Sequence, residues 1–191
     1  MIKAVLFDFF GVIYPDTFWG LANQFLPERT DEQHQLLHDG IKKANLNYIT
    51  QDDLWVEAAA IFGVEVEQVL TALNKFGGAD TVLLEKVALL KQRGIKVGIL
   101  SNVGTGTISE ALGSRVELFD VKVLSGDIGH MKPDLQAYEF ALGKLGVAPD
   151  ECLFFDDIPR NVRGAESAGM HAVHYKGIHD FNRAMMTYSI L

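Results

Sequence analysis

Short apolar runs, separated by stretches with helical spacing, divide most of this chain into alternating strands and helices. Residues 4–7 contain no polar position, which is typical of a strand buried on both faces of a parallel sheet. Similar runs predict further strands at 95–100, 121–124, 153–155 and 172–175. The alternation predicts an α/β fold, a doubly wound parallel sheet with helices on both faces.

A different pattern fills residues 15–78. Apolar positions recur there at helical intervals, and we find no convincing strand pattern. Thr50 and Asp53 have the spacing of a capping box, which marks the start of one of these helices. We therefore predict a small all-helical domain inserted after the first strand, with residues 1–14 and 79–191 forming the α/β core.

Charge and composition narrow the expected partners. The net charge is −8, from 17 basic and 25 acidic residues, which disfavours nucleic acid and anionic membrane surfaces as partners. No apolar run reaches the ~18 residues of a membrane span, and the amino terminus has no signal-peptide pattern. We expect a cytoplasmic protein, and the sequence does not indicate its oligomeric state.

Polar residues end three of the predicted strands. Asp8 follows the first strand, Ser101 and Asn102 end the second, and Asp156 and Asp157 follow the fourth. An acidic residue at one strand end is often part of a turn. The carboxyl ends of parallel strands, however, meet at one edge of the sheet, where ligands bind in open α/β folds. Three such ends predict a single site.

These residue types suit phosphoryl transfer, which needs an in-line nucleophile and compensation for the charge on the transferred oxygens. Asp8 can attack phosphorus and form an aspartyl-phosphate. Clustered carboxylates require a cation, and Mg²⁺ prefers oxygen ligands of this kind. Lys132 stands before Pro133, which we predict at the first position of a helix. The lysine would add a positive charge at the positive end of that helix.

Four segments together resemble the motifs of the haloacid dehalogenase-like hydrolase superfamily. They are DFFGV from Asp8, ILSN ending at Asn102, KPDLQAY from Lys132, and FFDDIPRNVRGAESAGM near the carboxyl end. The resemblance implies a Rossmann-like core, and the insert has the place and length of the family's small cap. YITQDDLW at 48–55 looks like cap sequences of sugar-phosphate phosphatases and of the amino-terminal domain of epoxide hydrolases.

The resemblance implies a metal site. Asp8 would be both the nucleophile and a ligand of Mg²⁺, and the main-chain carbonyl of Phe10 would also bind the ion. Asp157 would bind Mg²⁺ directly, and Asp156 directly or through water.

The resemblance also implies a catalytic and substrate-binding set. Ser101 and Asn102 would hold the phosphoryl oxygens. Lys132 would offset the negative charge on the nucleophile and on the phosphoryl group. The substrate would be a small phosphorylated molecule.

Phe10 departs from the family pattern. Phosphatases of the superfamily usually carry a second Asp at this position, which protonates the leaving oxygen. General acid catalysis is worth about 10²–10⁴-fold, so alkyl phosphates should be poor substrates. Sugar-1-phosphates, acyl phosphates and aryl phosphates should suffer less. Asp16 and Tyr14 are the nearest replacements in the sequence.

We therefore predict a Mg²⁺-dependent phosphatase that uses an aspartyl-phosphate intermediate. Two alternatives stay open. Phe10 supports a catalytically impaired protein that binds Mg²⁺ and phosphate. An aromatic residue at this position also resembles the metal-independent 2-haloacid dehalogenases of the superfamily, although these lack the pair formed by Asp156 and Asp157.

Overall fold

The computed structural model describes residues 1–190, and its centre is a five-stranded parallel sheet in the order β3-β2-β1-β4-β5. All five predicted strands are present, with ends that differ from the prediction by at most one residue. The predicted α/β fold is confirmed. The strands are β1 (Ala4–Phe7), β2 (Lys96–Ser101), β3 (Val121–Leu124), β4 (Cys152–Asp156) and β5 (His171–His174).

Helices cover both faces of this sheet. In the central strand β1, Val5 and Phe7 point into one hydrophobic cluster, and Ala4 and Leu6 point into the other. Among residues 1–190, no helix has the length and apolar character needed to cross a membrane. The core helices are α5 (Thr81–Gln92), α6 (Thr107–Leu112) and α10 (Ile178–Thr187) on the first face, α8 (Leu135–Leu145) and α9 (Pro159–Ser167) on the second, and the short α7 (Ser125–Ile128) after β3.

Four helices between β1 and α5 form a hydrophobic cluster of their own, which includes Phe18, Leu37 and Trp55. Thr50 and Asp53 form the capping box that begins the third helix, because each main-chain N–H bonds to the other side chain. We call residues 15–78 the helical insert. Its helices are α1 (Thr17–Phe25), α2 (Asp31–Asn45), α3 (Gln51–Phe62) and α4 (Val66–Leu73).

The prediction for Pro133 is wrong. Helix α8 begins at Leu135, and Pro133 lies in the preceding turn after a cis peptide bond. The N–H of Asp134 closes this turn on the carbonyl of Met131 at 2.8 Å. Hydrogen bonds hold the main chain of Lys132 and ion pairs hold its side chain. The chain therefore turns before the helix can begin.

Candidate active site

The register of the sheet brings the polar strand ends together. Phe7 of β1 is paired with Ile99 of β2 on one side and with Phe155 of β4 on the other. Asp8 is the next residue after Phe7, and its N–H donates to the carbonyl of Phe155 at 2.8 Å. The acidic end of β1 therefore lies between the polar ends of β2 and β4, as expected for adjacent parallel strands.

Asp8 is buried and tightly held. Its Oδ1 accepts hydrogen bonds from the N–H of Phe9 at 2.6 Å and from the hydroxyl of Ser101 at 2.8 Å. The ammonium of Lys132 lies 2.8 Å from the same oxygen. Within the described part of the chain, every hydrogen bond found to this carboxylate ends on Oδ1. The donors fix the orientation of the carboxylate and leave Oδ2 free for chemistry.

Lys132 bridges two carboxylates. Its ammonium lies 2.8 Å from Asp8 and 2.7 Å from Asp156, and all three side chains are buried. Burial lowers the pKa of Lys132, but the two negative charges raise it above its ordinary value. Burial also raises the pKa of Asp8; Lys132 lowers it and Asp156 raises it, with a result of about 7. The lysine is therefore held protonated beside the candidate nucleophile.

Asp156 has donors on both of its oxygens. Its Oδ2 accepts a hydrogen bond from Lys132, and its Oδ1 accepts one from the N–H of Ile158 at 2.8 Å. The side-chain amide of Asn161 donates to Oδ1 at 3.0 Å and to Oδ2 at 3.1 Å. Asn161 is fully buried on α9. No role was predicted for Asn161; its signal in the sequence is a polar residue five positions after Asp156, next to the apolar Val162 on the buried face of α9.

Asp157 is different, because its Oδ1 is buried with no hydrogen-bond partner among the described residues. Ligand oxygens of Asp8, Asp156 and Asp157 all lie within 4.8 Å of one another. Burial and the charge of Asp156 raise the pKa of Asp157 to about 6. A buried carboxylate without a donor is costly unless a cation neutralises it. The orphaned oxygen and the hard oxygen donors fit a divalent cation such as Mg²⁺.

Gly11 makes room for Asp157. The glycine has a φ of +85°, and a Cβ built on it would lie 2.3 Å from the carboxylate. Only glycine combines this left-handed backbone with such a close approach. The loop after β1 therefore packs directly against the carboxylate of Asp157.

Asn102 fixes the loop that carries Lys132. Its side-chain amide donates to the carbonyl of Lys132 at 2.9 Å, and its Oδ1 accepts the N–H of Lys132 at 2.8 Å. This pair of hydrogen bonds spans 30 residues of sequence. The end of β2 and the turn before α8 are therefore held together, a structural role for Asn102 besides the predicted contact with the phosphoryl oxygens.

A cavity of about 360 Å³ opens above these residues. Asp8, Phe10, Ser101, Asn102, Lys132 and Asp157 all line its floor, so the structure brings the predicted site residues together; Asp156 lies beneath them. The helical insert forms the roof, in which six apolar or aromatic residues and six polar residues line the cavity. The residues of the insert that line it are Asp16, Thr17, Phe18, Trp19, His38, Ile41, Lys42, Asn45, Leu46, Gln51, Leu54 and Trp55.

A family model, described as haloacid dehalogenase-like hydrolase, matches residues 2–169. The chain belongs to this family. The predictions that this chain is a member of the superfamily and that it is a hydrolase are both confirmed.

Two curated relatives match part of this chain. Phosphatase MT3486 of Mycobacterium tuberculosis (strain CDC 1551 / Oshkosh) is 35% identical, with a match that covers 66% of this chain and 66% of the relative. Pyrophosphatase PpaX of Bacillus cereus (strain AH820) is 30% identical, over 55% of this chain and 53% of PpaX. The chain thus spans slightly less than two thirds of the first relative and about half of the second.

The fold is also that of a solved structure. HAD family enzyme bt-2542 of Bacteroides thetaiotaomicron, in complex with magnesium and inorganic phosphate, has a TM-score of 0.70 and 23% identity to this chain. The match covers 92% of this chain and 95% of that one.

Proposed function

We propose that this protein is a Mg²⁺-dependent phosphatase in which Asp8 takes the phosphoryl group from a small phosphorylated metabolite. The observation that carries the proposal is the cluster of the Asp8, Asp156 and Asp157 carboxylates, which could hold a cation. A buried carboxylate is held by Lys132 and Ser101, next to Asp157 with an unpartnered oxygen. Two relatives that are named phosphatases, and a structural neighbour crystallised with magnesium and inorganic phosphate, support the same chemistry.

The metal would be held by Asp8, the main-chain carbonyl of Phe10 and Asp157. Asp156 already accepts donors on both oxygens, so we assign it to the orientation of Lys132 and to contact with the metal through water. When bound, Mg²⁺ would offset the repulsion among the carboxylates and polarise the phosphoryl group.

The reaction takes two steps at Asp8. A carboxylate oxygen of Asp8 forms a bond to phosphorus while the bond to the leaving oxygen breaks, and the electron pair departs with that oxygen. Water then attacks the phosphorus of the aspartyl-phosphate, which releases inorganic phosphate and restores the carboxylate. Lys132 and Ser101 orient the nucleophile, and the ammonium balances charge that builds up on the phosphoryl oxygens.

The leaving oxygen of an alkyl phosphate needs a proton, and we assign Asp16 to that task. Asp16 lines the main cavity with Asp8 and Phe10, whereas Tyr14 lines a separate cleft and packs against the Phe10 ring. One oxygen of Asp16 accepts the N–H of Trp19 at 3.2 Å, which orients the carboxyl group at the start of α1. Burial raises the pKa of Asp16, which favours the protonated form that a general acid requires.

Phosphate release from sugar, nucleotide, acyl, alkyl and aryl phosphates tests the proposal. Each substrate is assayed with Mg²⁺, with EDTA, and with the variant Asp8→Asn. We expect turnover that requires Mg²⁺ and that falls by about 10⁴-fold or more in the variant, because the nucleophile is lost. Asp134→Asn is the matched control, since it removes an exposed carboxylate from the rim of the same cavity.

Three results would overturn the proposal. Turnover that persists in EDTA would show that the reaction does not require a metal ion. Halide release from 2-haloacids in EDTA would assign the chemistry to carbon instead of phosphorus. Binding of Mg²⁺ and phosphate without any turnover of the panel would identify an impaired enzyme.

A further inference from the structure

Asn47 connects the helical insert to the core at one edge of the cavity. It follows α2 and has a left-handed backbone, with a φ of +58°. Its amide group donates to the hydroxyl of Thr105 at 2.7 Å and to the carbonyl of Gly126 at 3.0 Å. Its Oδ1 accepts the N–H of Thr105 at 3.0 Å. One exposed side chain therefore bonds to the loop after β2 and to α7 at once.

Two glycines admit this side chain. A Cβ built on Gly126 would lie 2.7 Å from both polar atoms of the Asn47 amide, and a Cβ on Gly104 would lie 2.9 Å from its Oδ1. Neither glycine has the left-handed backbone that would itself require glycine. The lack of a side chain at Gly104 and Gly126 therefore leaves the room that Asn47 needs to approach them closely.

Neighbouring contacts extend the junction. The hydroxyl of Ser125 donates to the carbonyl of Asn45 at 2.7 Å, so the end of α2 is bound a second time. The hydroxyl of Thr105 donates in turn to Asp127 at 2.5 Å, which completes a chain of hydrogen bonds from the insert through the loop after β2 to α7.

Both sides of this junction line the active-site cavity. Lys42, Asn45 and Leu46 at the end of α2 form part of the roof. On the core side, Thr105 belongs to the loop that begins at Ser101 and Asn102, two of the floor residues. The position of Asn47 relative to Thr105 therefore sets the distance between this part of the roof and the floor.

We propose that Asn47 is a positioning residue that holds the end of α2 against the loop after β2, in the arrangement that binds substrate. When the junction is broken, the fraction of molecules in this arrangement falls, and the apparent affinity for substrate falls by the same factor. At saturation the substrate itself restores the arrangement. The loss therefore appears in KM, and kcat is retained.

Paired glycine and asparagine variants test the proposal. Asn47→Gly removes the side chain and suits the left-handed backbone, whereas Gly126→Ala leaves Asn47 in the chain and obstructs it. We expect each variant to raise KM for a phosphate ester by about tenfold. This factor corresponds to a free energy equal to, or slightly above, the net contribution of one hydrogen bond. The double variant should be no worse than Asn47→Gly, because the obstructed side chain is gone.

Gly143→Ala is the matched control. A Cβ at Gly143, in α8, meets nothing within 4 Å, so the KM of this variant should equal that of the wild type. Additive effects of Asn47→Gly and Gly126→Ala, or an unchanged KM in both single variants, would overturn the proposal. A loss in kcat with KM unchanged would do so as well.

The choice of probe in this assay rests on the proposed phosphatase function, so a second readout keeps the two proposals separate. Amide hydrogen exchange followed by NMR reports on the Thr105 N–H, which bonds to Asn47. Faster exchange at Thr105 in Asn47→Gly and Gly126→Ala, with wild-type exchange in Gly143→Ala, supports the junction even if no phosphate ester is hydrolysed. Unchanged exchange at Thr105 in both variants would overturn the junction, whatever the activity.

Discussion

The floor and the roof of the cavity are built by different rules. On the floor, charged side chains are buried and bound to one another; the side chains of Lys132 and Asp156 are 1% and 0% exposed. In the roof, six of the twelve residues of the insert are apolar or aromatic, and the charged Lys42 is exposed.

This difference separates two tasks. A buried charge is stable only where its partners have good geometry and its other hydrogen bonds are made, so the floor tolerates little change. Apolar contacts are non-directional, so a roof can change shape and residue type while it still excludes water. We therefore expect substitutions in the floor to affect the reaction itself and substitutions in the roof to affect which molecules bind.

Lys132→Met should strongly destabilise the floor, because it leaves Asp8 and Asp156 buried without their cation. Removal of one partner from a buried ion pair costs about 3–5 kcal/mol of unfolding free energy. Phosphatase activity should fall by about 10³-fold or more, since the nucleophile also loses its orientation. Urea unfolding and steady-state kinetics measure the two losses.

Lys91→Met is the control for that prediction. Lys91 lies 2.7 Å from Asp120, but the two side chains are 33% and 38% exposed. A surface pair of this kind contributes about 0–1 kcal/mol. Equal destabilisation by both lysine variants would contradict the distinction between a buried floor and an exposed surface.

Asp157→Asn tests the cation site on the floor. We expect Mg²⁺ to raise the melting temperature of the wild type, because a ligand that binds only the folded state stabilises it. The variant should lose most of this increase and about 10²-fold or more in activity at a fixed Mg²⁺ concentration. A melting temperature that rises equally in both proteins would place the ion elsewhere.

Asp16→Asn lies at the border between floor and roof. Asn is as good an N-cap as Asp, so helix α1 should be retained. We expect a loss of about 10²-fold on alkyl phosphates and little loss on p-nitrophenyl phosphate, whose leaving group needs no proton. Equal losses on both substrates would exclude Asp16 as the general acid.

Trp19→Ala should give the smallest effect. Trp19 is half-buried in the roof, where it stacks on His34 and lies under the guanidinium of Arg29. We expect KM for larger substrates to change by about tenfold, while the inhibition constant of inorganic phosphate stays the same. Tyr48→Ala, an exposed aromatic residue of the insert outside this cavity, should change neither constant.

The strands and the acidic strand ends could be predicted from the sequence because their signals are local. The apolar run at 4–7 and its end at Asp8 need only neighbouring residues to be read. The same holds for the capping box of Thr50 and Asp53, in which both hydrogen bonds span three residues.

Partners of the buried polar groups could not be predicted in this way. Asn102 is predicted to hold the phosphoryl oxygens, but nothing in the sequence indicates that its amide also holds the main chain of Lys132, 30 residues away. Asn161 was given no role, although it donates to both oxygens of Asp156. The helix expected at Pro133 begins two residues later, because the chain is first anchored at Lys132.

The sequence by itself determined which chemistry is available. It placed acids, a hydroxyl and an amide at the ends of three predicted strands, and the local apolar patterns together with the alternation of strands and helices predict one parallel sheet. Only the tertiary structure decided how those groups differ. Asp156 and Asp157 are adjacent in sequence, but they point into different surroundings. One has donors on both oxygens, and the other keeps an oxygen without a partner. The physical reason is that the cost of a buried charge depends on donors brought from distant segments by folding.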